Sequence, residues 1–566
     1  MINPNFDPSD AVAERQAVAA AWKKWLQATL PRQKCDDSPD DGAFDEDGNG
    51  WFDGRHTAFT LARLMATRPW ASELECDVPA LDAAMRRALK FLERRQHPDG
   101  RLDLGGMVSP NEVGFSLPAL VEGYRRFERL PDAALADFLA DLKGFIQRGA
   151  DAVLNGEAFT ANHRWAAACA PLAAVQSLWP DPRYLAKIEG YLADGIDCDA
   201  DGCWFEERSP NYNGVANHGV LVMADGLNRP ELLEIVKRSL EWTLGFIQPD
   251  GKADSSFSHR QDRASFGARP TTYGLARRVA QMTGDGRFTT LAQMVWDAES
   301  VATGELMPLL FDLDRFPTSL PAPVPLATRY EKFFSHTQIA RIRRDDTALT
   351  LAADAGGHFF DTVRDGWGGP KRSDDWFHLQ HGGIVIQSLH MVGGGMSNAQ
   401  PEVLDLQGEG NYQLRGHIDG WTHTLHFRPQ RPQIEMPWNW DFSSDIAWRE
   451  DEINLKLCSD SDESLVAALN IWVRPGIWVE EGAQTQQAVA GQAVAGQAVT
   501  LRGGTCLVLR DEKHEVQIEG LPLAKHQMPI VPAPSIPSPM AQSCTRLSLG
   551  LRFPVEMNLR LRLKTS

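Results

Sequence analysis

Cysteine is scarce in this sequence, with eight in 566 residues. Only Cys198 and Cys203 lie close together, at a spacing that fits no common zinc pattern. The set does not read as a disulfide framework, and reduced structural thiols in a cytoplasm are the expectation. No apolar run approaches the ~20 residues of a membrane-spanning helix. The opening stretch Met1-Ile2-Asn3-Pro4-Asn5-Phe6 lacks the basic and apolar regions of a secretory signal, so the expected location is cytoplasmic. Basic residues are outnumbered, 57 Lys and Arg against 75 Asp and Glu, for a formal net charge of −18. That balance disfavours a nucleic-acid partner, and no membrane partner is expected. An anionic ligand would need a local basic patch, for which Arg164, Arg208, His259, Arg260 and Arg263 are candidates. Tyrosine is the rarest aromatic, 7 residues against 17 tryptophans. A tyrosine in a polar loop is therefore worth explaining.

What is present is an ordinary globular composition, 43% hydrophobic and 23% charged, on a chain long enough for two or more domains. Residues 1–315 read as roughly ten to twelve helices. Ala11 to Leu30, Leu81 to Arg94, Leu130 to Ile146 and Glu231 to Ile247 carry apolar residues three or four apart. Turns such as Gln96-His97-Pro98-Asp99-Gly100 separate them. Helix pairs without strands suggest a bundle, a solenoid or a closed α/α toroid. Residues 316–328 form a proline-rich linker that cannot continue a helix. Across 329–566 the pattern shifts to short alternating segments, among them Thr337 to Arg343, Thr347 to Ala353, Gly383 to Leu389 and Leu465 to Val473. These read as antiparallel strands in stacked sheets.

Two segments carry chemistry. Asn162-His163-Arg164-Trp165 sets an amide, an imidazole and a guanidinium side by side. Trp165, Cys169, Leu172 and Val175 follow at helical spacing, so Asn162 is the predicted N-cap. A helix N-terminus is a natural anion site. Fifty positions on, Glu206-Glu207-Arg208-Ser209-Pro210-Asn211-Tyr212 delivers a tyrosine near an arginine. A nearby guanidinium favours a phenolate. Asn217-His218 follows within two helical turns, and Asp254 to Asp262, with His259 and Arg260, forms a polar run after a turn. The alternative is that Asn162 only caps and Tyr212 only opens a surface helix.

The order Asn-His, then Asp-Gly, then Glu-x-Ser-Pro-x-Tyr resembles the toroid polysaccharide lyases, including the alginate lyases and the heparinase II/III-like enzymes. That resemblance implies an N-terminal α/α toroid followed by a C-terminal antiparallel β-sandwich, and a glycan substrate containing uronic acid. By resemblance Asn162 and His163 neutralise the substrate carboxylate and Tyr212 transfers the proton in β-elimination, with Arg208 beside it. The pair is followed here by Arg164-Trp165, a departure from the alginate lyases. Substrate contacts are expected from Arg164, Trp165, Glu207, His218, His259, Arg260, His381 and Trp51, and a second acid or base from His218, His259, His378 or His381. No cofactor is required by this chemistry. The acidic loops at Asp45 to Asp53 and Asp197 to Asp201 resemble the start of a calcium loop without its twelfth-position glutamate, and His378 with His381 is a candidate zinc pair. Two rivals stand beside the lyase reading: a glycoside hydrolase pairing Asp199 or Glu206 with Glu207, and a non-catalytic glycan-binding protein.

Overall fold

In a computed structural model the described residues are 7–45, 48, 50–130, 135–204, 208–258, 269–297, 319–353, 376–393, 397–398, 401–418, 421–424, 433–436, 440–461, 466–487, 499–525, 544–552 and 554–565. Their contacts divide the chain into two units, residues 1–244 with 269–326, and residues 245–268 with 327–566. The first unit is helical and the second is built of sheets.

The helical periodicity folds as α1 (Ala11–Thr29), α2 (Gly54–Thr67), α3 (Val78–Arg95), α4 (Pro110–Phe127), α5 (Ala136–Asn155), α6 (Ala170–Leu178), α7 (Pro182–Ala193), α8 (Pro210–Leu227), α9 (Leu233–Leu244), α10 (Tyr273–Thr283) and α11 (Gly286–Val295). Acidic or hydroxyl side chains cap most starts. Asp10, Asp53, Asp77, Asp181, Ser209, Thr272 and Asp285 each accept a first-turn N–H.

Successive helices alternate between an inner and an outer layer. The inner helices α2, α4, α6 and α8 run parallel, as close approaches show. Arg55 pairs with Glu112 and Gly123 lies against Met65, joining α2 to α4. Gly114 abuts Ala167 and Arg125 bonds Ser177, joining α4 to the segment that runs into α6. Gly219 abuts Trp165 and Ala166 while Gly226 abuts Ala173, joining that segment to α8 at a constant offset. The outer helices return antiparallel. Gly149 of α5 meets Val113 and Leu117, and Gly156 meets Pro110. Helix α1 touches α2 through Trp22 and Thr67, and α10 through Glu14 and Arg277, so the ring of helices closes on itself. A β-carbon on Gly114 would sit 2.0 Å from the Ala167 carbonyl oxygen. Gly114→Ala is expected to destabilise the protein by about 1–3 kcal/mol through this overpacking, read as a lower Tm.

Among the described residues the sheet unit holds two nine-stranded, largely antiparallel sheets and one small two-stranded sheet. One includes β-strands Arg329–Phe334, Ile339–Arg344, Thr347–Ala352, Phe377–His381, Ile384–Gly393, Val466–Val473 and Thr545–Arg552. The other includes Val403–Gly408, Asn411–Ile418, Trp440–Arg449, Glu452–Ser461, His514–Glu519 and Val555–Thr565. Alternation makes the sandwich. In Val555–Thr565 the side chains of Val555, Met557, Leu559, Leu561 and Leu563 are buried, while Glu556, Asn558 and Arg560 are exposed. Leu349, Leu379, Leu469 and Leu549 of the first sheet join one apolar core with Leu414, Ile446, Leu455 and Ile518 of the second.

Two details depart from the sequence reading. The prolines near 321–325 are held to the helical unit: Thr289 and Thr290 donate to the carbonyls of Pro321 and Val324, and the Val324 N–H donates to Gly286. The run that starts at Asp254 belongs to the sheet unit, where the Asp254 carboxylate is buried and accepts from Arg341 and Thr350.

Candidate active site

Parallel inner helices put four N-termini at one end of the helical unit. Each positive dipole end points there. The side chains around these starts build the candidate site.

Asn162 is not an N-cap. It has helical dihedrals and makes no capping bond. The cap is Thr160, whose carbonyl accepts from the Arg164 N–H at 2.7 Å, with its hydroxyl 3.4 Å from the His163 N–H. From His163 to Cys169 the chain is a π-helix, with the Ala170 N–H reaching back five residues to Trp165. Pro171 is a physical reason, because it has no N–H to give Ala167 and its ring crowds that carbonyl. The Ala167 carbonyl faces Gly114 of α4 instead. Single π-turns inside α-helices are frequent at functional sites. Here the arrangement releases the Asn162 amide from capping.

Tyr212 lies in the first turn of α8, its N–H bonded to the Ser209 hydroxyl at 3.2 Å. The offset set by Gly219 against Ala166 and Gly226 against Ala173 levels Tyr212 with Phe159. Asn162 and His163 are therefore within about one helical turn of Tyr212 along the axis, roughly 5 Å, on adjacent helices. Arg208, just before the cap, is fully buried at φ +46°. A left-handed conformation costs a non-glycine residue about 1 kcal/mol or more, and such outliers gather at functional sites. His218 lies two turns further along α8. Burial pushes its pKa down to about 4, so at neutral pH it is a neutral imidazole, and the residue is only partly covered.

Large exposed side chains mark the same end. Trp51, 59% exposed, precedes α2 and rests a ring edge on Gly105; Phe159, 71% exposed, precedes Asn162. Phe159 was not legible as a site residue, since one phenylalanine before a helix carries no signal. Arg55, Glu112 and Phe115 were also missed, being ordinary first- and second-turn residues of α2 and α4. Phe115 packs edge-on to His163 with ring centroids 5.8 Å apart, and the Arg55 guanidinium lies 4.6 Å over the Phe115 ring.

Several expected contacts are used up elsewhere. Arg164 pairs with Asp197 at 3.2 Å and lies over Trp165 and Tyr191 of α7, which directs it to the outer layer. Trp165 is fully buried and its indole N–H donates to Asp197 at 2.9 Å, so it is a core residue and no sugar platform. Asp197 thereby has a structural role in the second acidic loop, and Asp53 of the first caps α2. His381 is buried in the sheet unit between Thr347 and the Lys564 carbonyl, and His378 between Gln248 and the Gln387 carbonyl. Burial lowers both pKa values. Neither histidine is available as a second acid or base or as a zinc ligand. Among the described residues no three His, Cys, Asp or Glu side chains converge as metal ligands would. Glu206, Glu207, His259 and Arg260 lie outside the described residues. All eight cysteines are free thiols, and burial raises Cys169 to about 12 and Cys198 to about 11.

No protein-family model and no curated protein matches the sequence. Solved structures do. A heparinase III superposes with a TM-score of 0.52 at 9% identity, over 92% of this chain and 80% of its own. The chondroitin AC lyase of Streptomyces coelicolor A3, solved in complex with chondroitin sulphate, superposes with a TM-score of 0.52 at 12% identity, over 97% and 79%. An α/α toroid followed by an antiparallel β-sandwich, the fold of these polysaccharide lyases, is the fold of this chain.

Proposed function

We propose that the protein is a polysaccharide lyase that cleaves a uronic-acid-containing glycan by β-elimination. What supports this reading most is that Asn162, His163 and Tyr212 lie in the first turns of adjacent, parallel inner helices. The toroid fold supports it, as do the exposed rings of Trp51 and Phe159 at the same end.

The chemistry follows from the groups. The C5 hydrogen of a uronate is α to a carboxylate and barely acidic. Its removal builds negative charge on the carboxylate oxygens. The Asn162 amide and the His163 imidazole would meet that charge as preorganised donors, each worth about 3–4 kcal/mol by analogy with oxyanion-hole donors. The positive dipole ends of the helix starts add to the field. Tyr212 would take the C5 proton and return one to the glycosidic oxygen at C4 as that bond breaks. Arg208, buried just before this helix start, would add a positive charge near the developing negative charge. Where the two groups leave from opposite faces of the ring, a second acid is needed, and His218 is the nearest imidazole on α8.

Elimination leaves a C4–C5 double bond that absorbs in the near ultraviolet, and hydrolysis does not. The purified protein is expected to generate that absorbance on at least one of alginate, heparan, hyaluronan, pectin or glucuronan. New reducing ends without absorbance would instead identify a hydrolase, and binding without new ends a non-catalytic glycan receptor.

A further inference from the structure

Arg55 is held unusually well for a residue at an open site. Its guanidinium lies over two phenyl faces, Phe115 at 4.6 Å and Phe59 at 5.9 Å. Nη1 bonds the buried Glu112 carboxylate at 2.7 Å. Nε and Nη2 have no protein partner among the described residues, and the side chain stays 26% exposed. So the fork is fixed in plane and rotamer while two donors remain available. Its accessible neighbours, Phe59 on α2 and Phe115 on α4, lie on the stripes that these helices leave uncovered. The same Phe115 ring packs against His163.

We infer that Arg55 reads a second anionic group on the substrate, a sulfate ester or the carboxylate of a neighbouring uronate, and that Phe115 positions it relative to His163. This rests on the lyase reading for its substrate class. An oxyanion matches the two remaining N–H donors in one plane, which an ammonium could not offer. Aromatic faces on the guanidinium strip part of its hydration and fix its rotamer, so little ordering is required when the anion docks. Glu112 takes only one of the donors. A simple countercharge for Glu112 would not need both rings or the exposed edge.

The test compares wild type, Arg55→Gln, Arg55→Lys and Phe115→Leu on heparan sulfate, unsulfated hyaluronan and a homopolymeric uronan, with Tm measured for each. Arg55→Gln is expected to raise KM by about tenfold or more and to flatten its dependence on salt, with kcat changed far less. Arg55→Lys recovers charge but not the fork, and is expected to fall between the two. A loss confined to heparan sulfate identifies the sulfate ester; an equal loss on the uronan identifies the second carboxylate. A folded Arg55→Gln with wild-type KM and salt dependence on every substrate overturns the inference, as does a loss seen in Tm alone. If wild type makes no unsaturated product at all, the same variants are compared by affinity electrophoresis in gels containing heparan sulfate or uronan. Weaker retention of Arg55→Gln there sustains the anion site while the lyase reading fails, and unchanged retention sinks both.

Discussion

Tyr212→Phe is expected to lower kcat by about 10²–10⁴-fold on whichever glycan the wild-type protein cleaves, with KM little changed. The substitution removes one hydroxyl and keeps the ring. The Tyr212 N–H bond to Ser209, which fixes the start of α8, is made by the backbone and survives. Helix packing at Gly219 and Gly226 lies two and four turns away and is untouched. A folded protein that binds but does not turn over is therefore the predicted phenotype. It is measured as the rate of near-ultraviolet absorbance at saturating substrate, alongside the Tm. Loss of kcat without loss of binding is what a proton carrier implies, because its interaction is made in the transition state and not in the ground state. Equal activity in wild type and variant would remove Tyr212 from the reaction. It would leave His218, with its neutral ring on the same helix, as the next group to substitute.

The parts of this molecule that could be read from its sequence are those governed by local rules. Periodicity located α1 and α3 to within a few residues, because their buried faces recur every turn: Val18, Trp22, Trp25 and Leu26 in one, Leu81, Met85, Ala88 and Leu92 in the other. Short apolar-rich segments bounded by turn residues located the strands at Ile339–Arg344, Thr347–Ala352 and Val466–Val473. The Asn-His pair and the downstream tyrosine draw attention in the sequence because the residue types are chemically telling, and their role is the proposal that Tyr212→Phe tests. The failures share a cause. Asn162 looked like a cap because asparagine often is one, but Thr160, two residues earlier, takes that role and leaves Asn162 inside the first turn. Trp165 and Arg164 looked available because sequence does not say which way a helix faces; Asp197, in the loop after α7, takes both. His381 looked reachable because a polar residue in an apolar strand draws attention, yet both its nitrogens are satisfied inside the sandwich. Arg55 and Phe115 acquire meaning only across helices, through contacts with residues about fifty to sixty positions apart.

Removing Glu14 is expected to destabilise the helical unit by about 3–5 kcal/mol, the penalty for leaving a buried partner charge uncompensated. Glu14 is fully buried in α1, and its carboxylate accepts from Arg277 Nε at 2.6 Å and Nη2 at 3.0 Å, and from the Tyr273 hydroxyl, both residues of α10. Burial, with Glu14 close by, pushes the Tyr273 pKa well above its ordinary value, so the phenol stays a donor. In Glu14→Ala the Arg277 guanidinium keeps its buried position and loses the carboxylate that pairs with it, where α1 meets α10. A fall in Tm of roughly 5–15 °C is expected for a unit of this size. The surface pair Arg15–Glu73 supplies the contrast: both side chains are well exposed, and Glu73→Gln is expected to change stability by less than about 1 kcal/mol. Calorimetry separates the two cases. A melting curve of Glu14→Ala that overlays the wild type would mean that ring closure does not depend on this pair. An early transition with the sheet unit's own unfolding unmoved is the outcome the buried geometry requires, because the apolar core of the sheets contains no residue of α1 or α10.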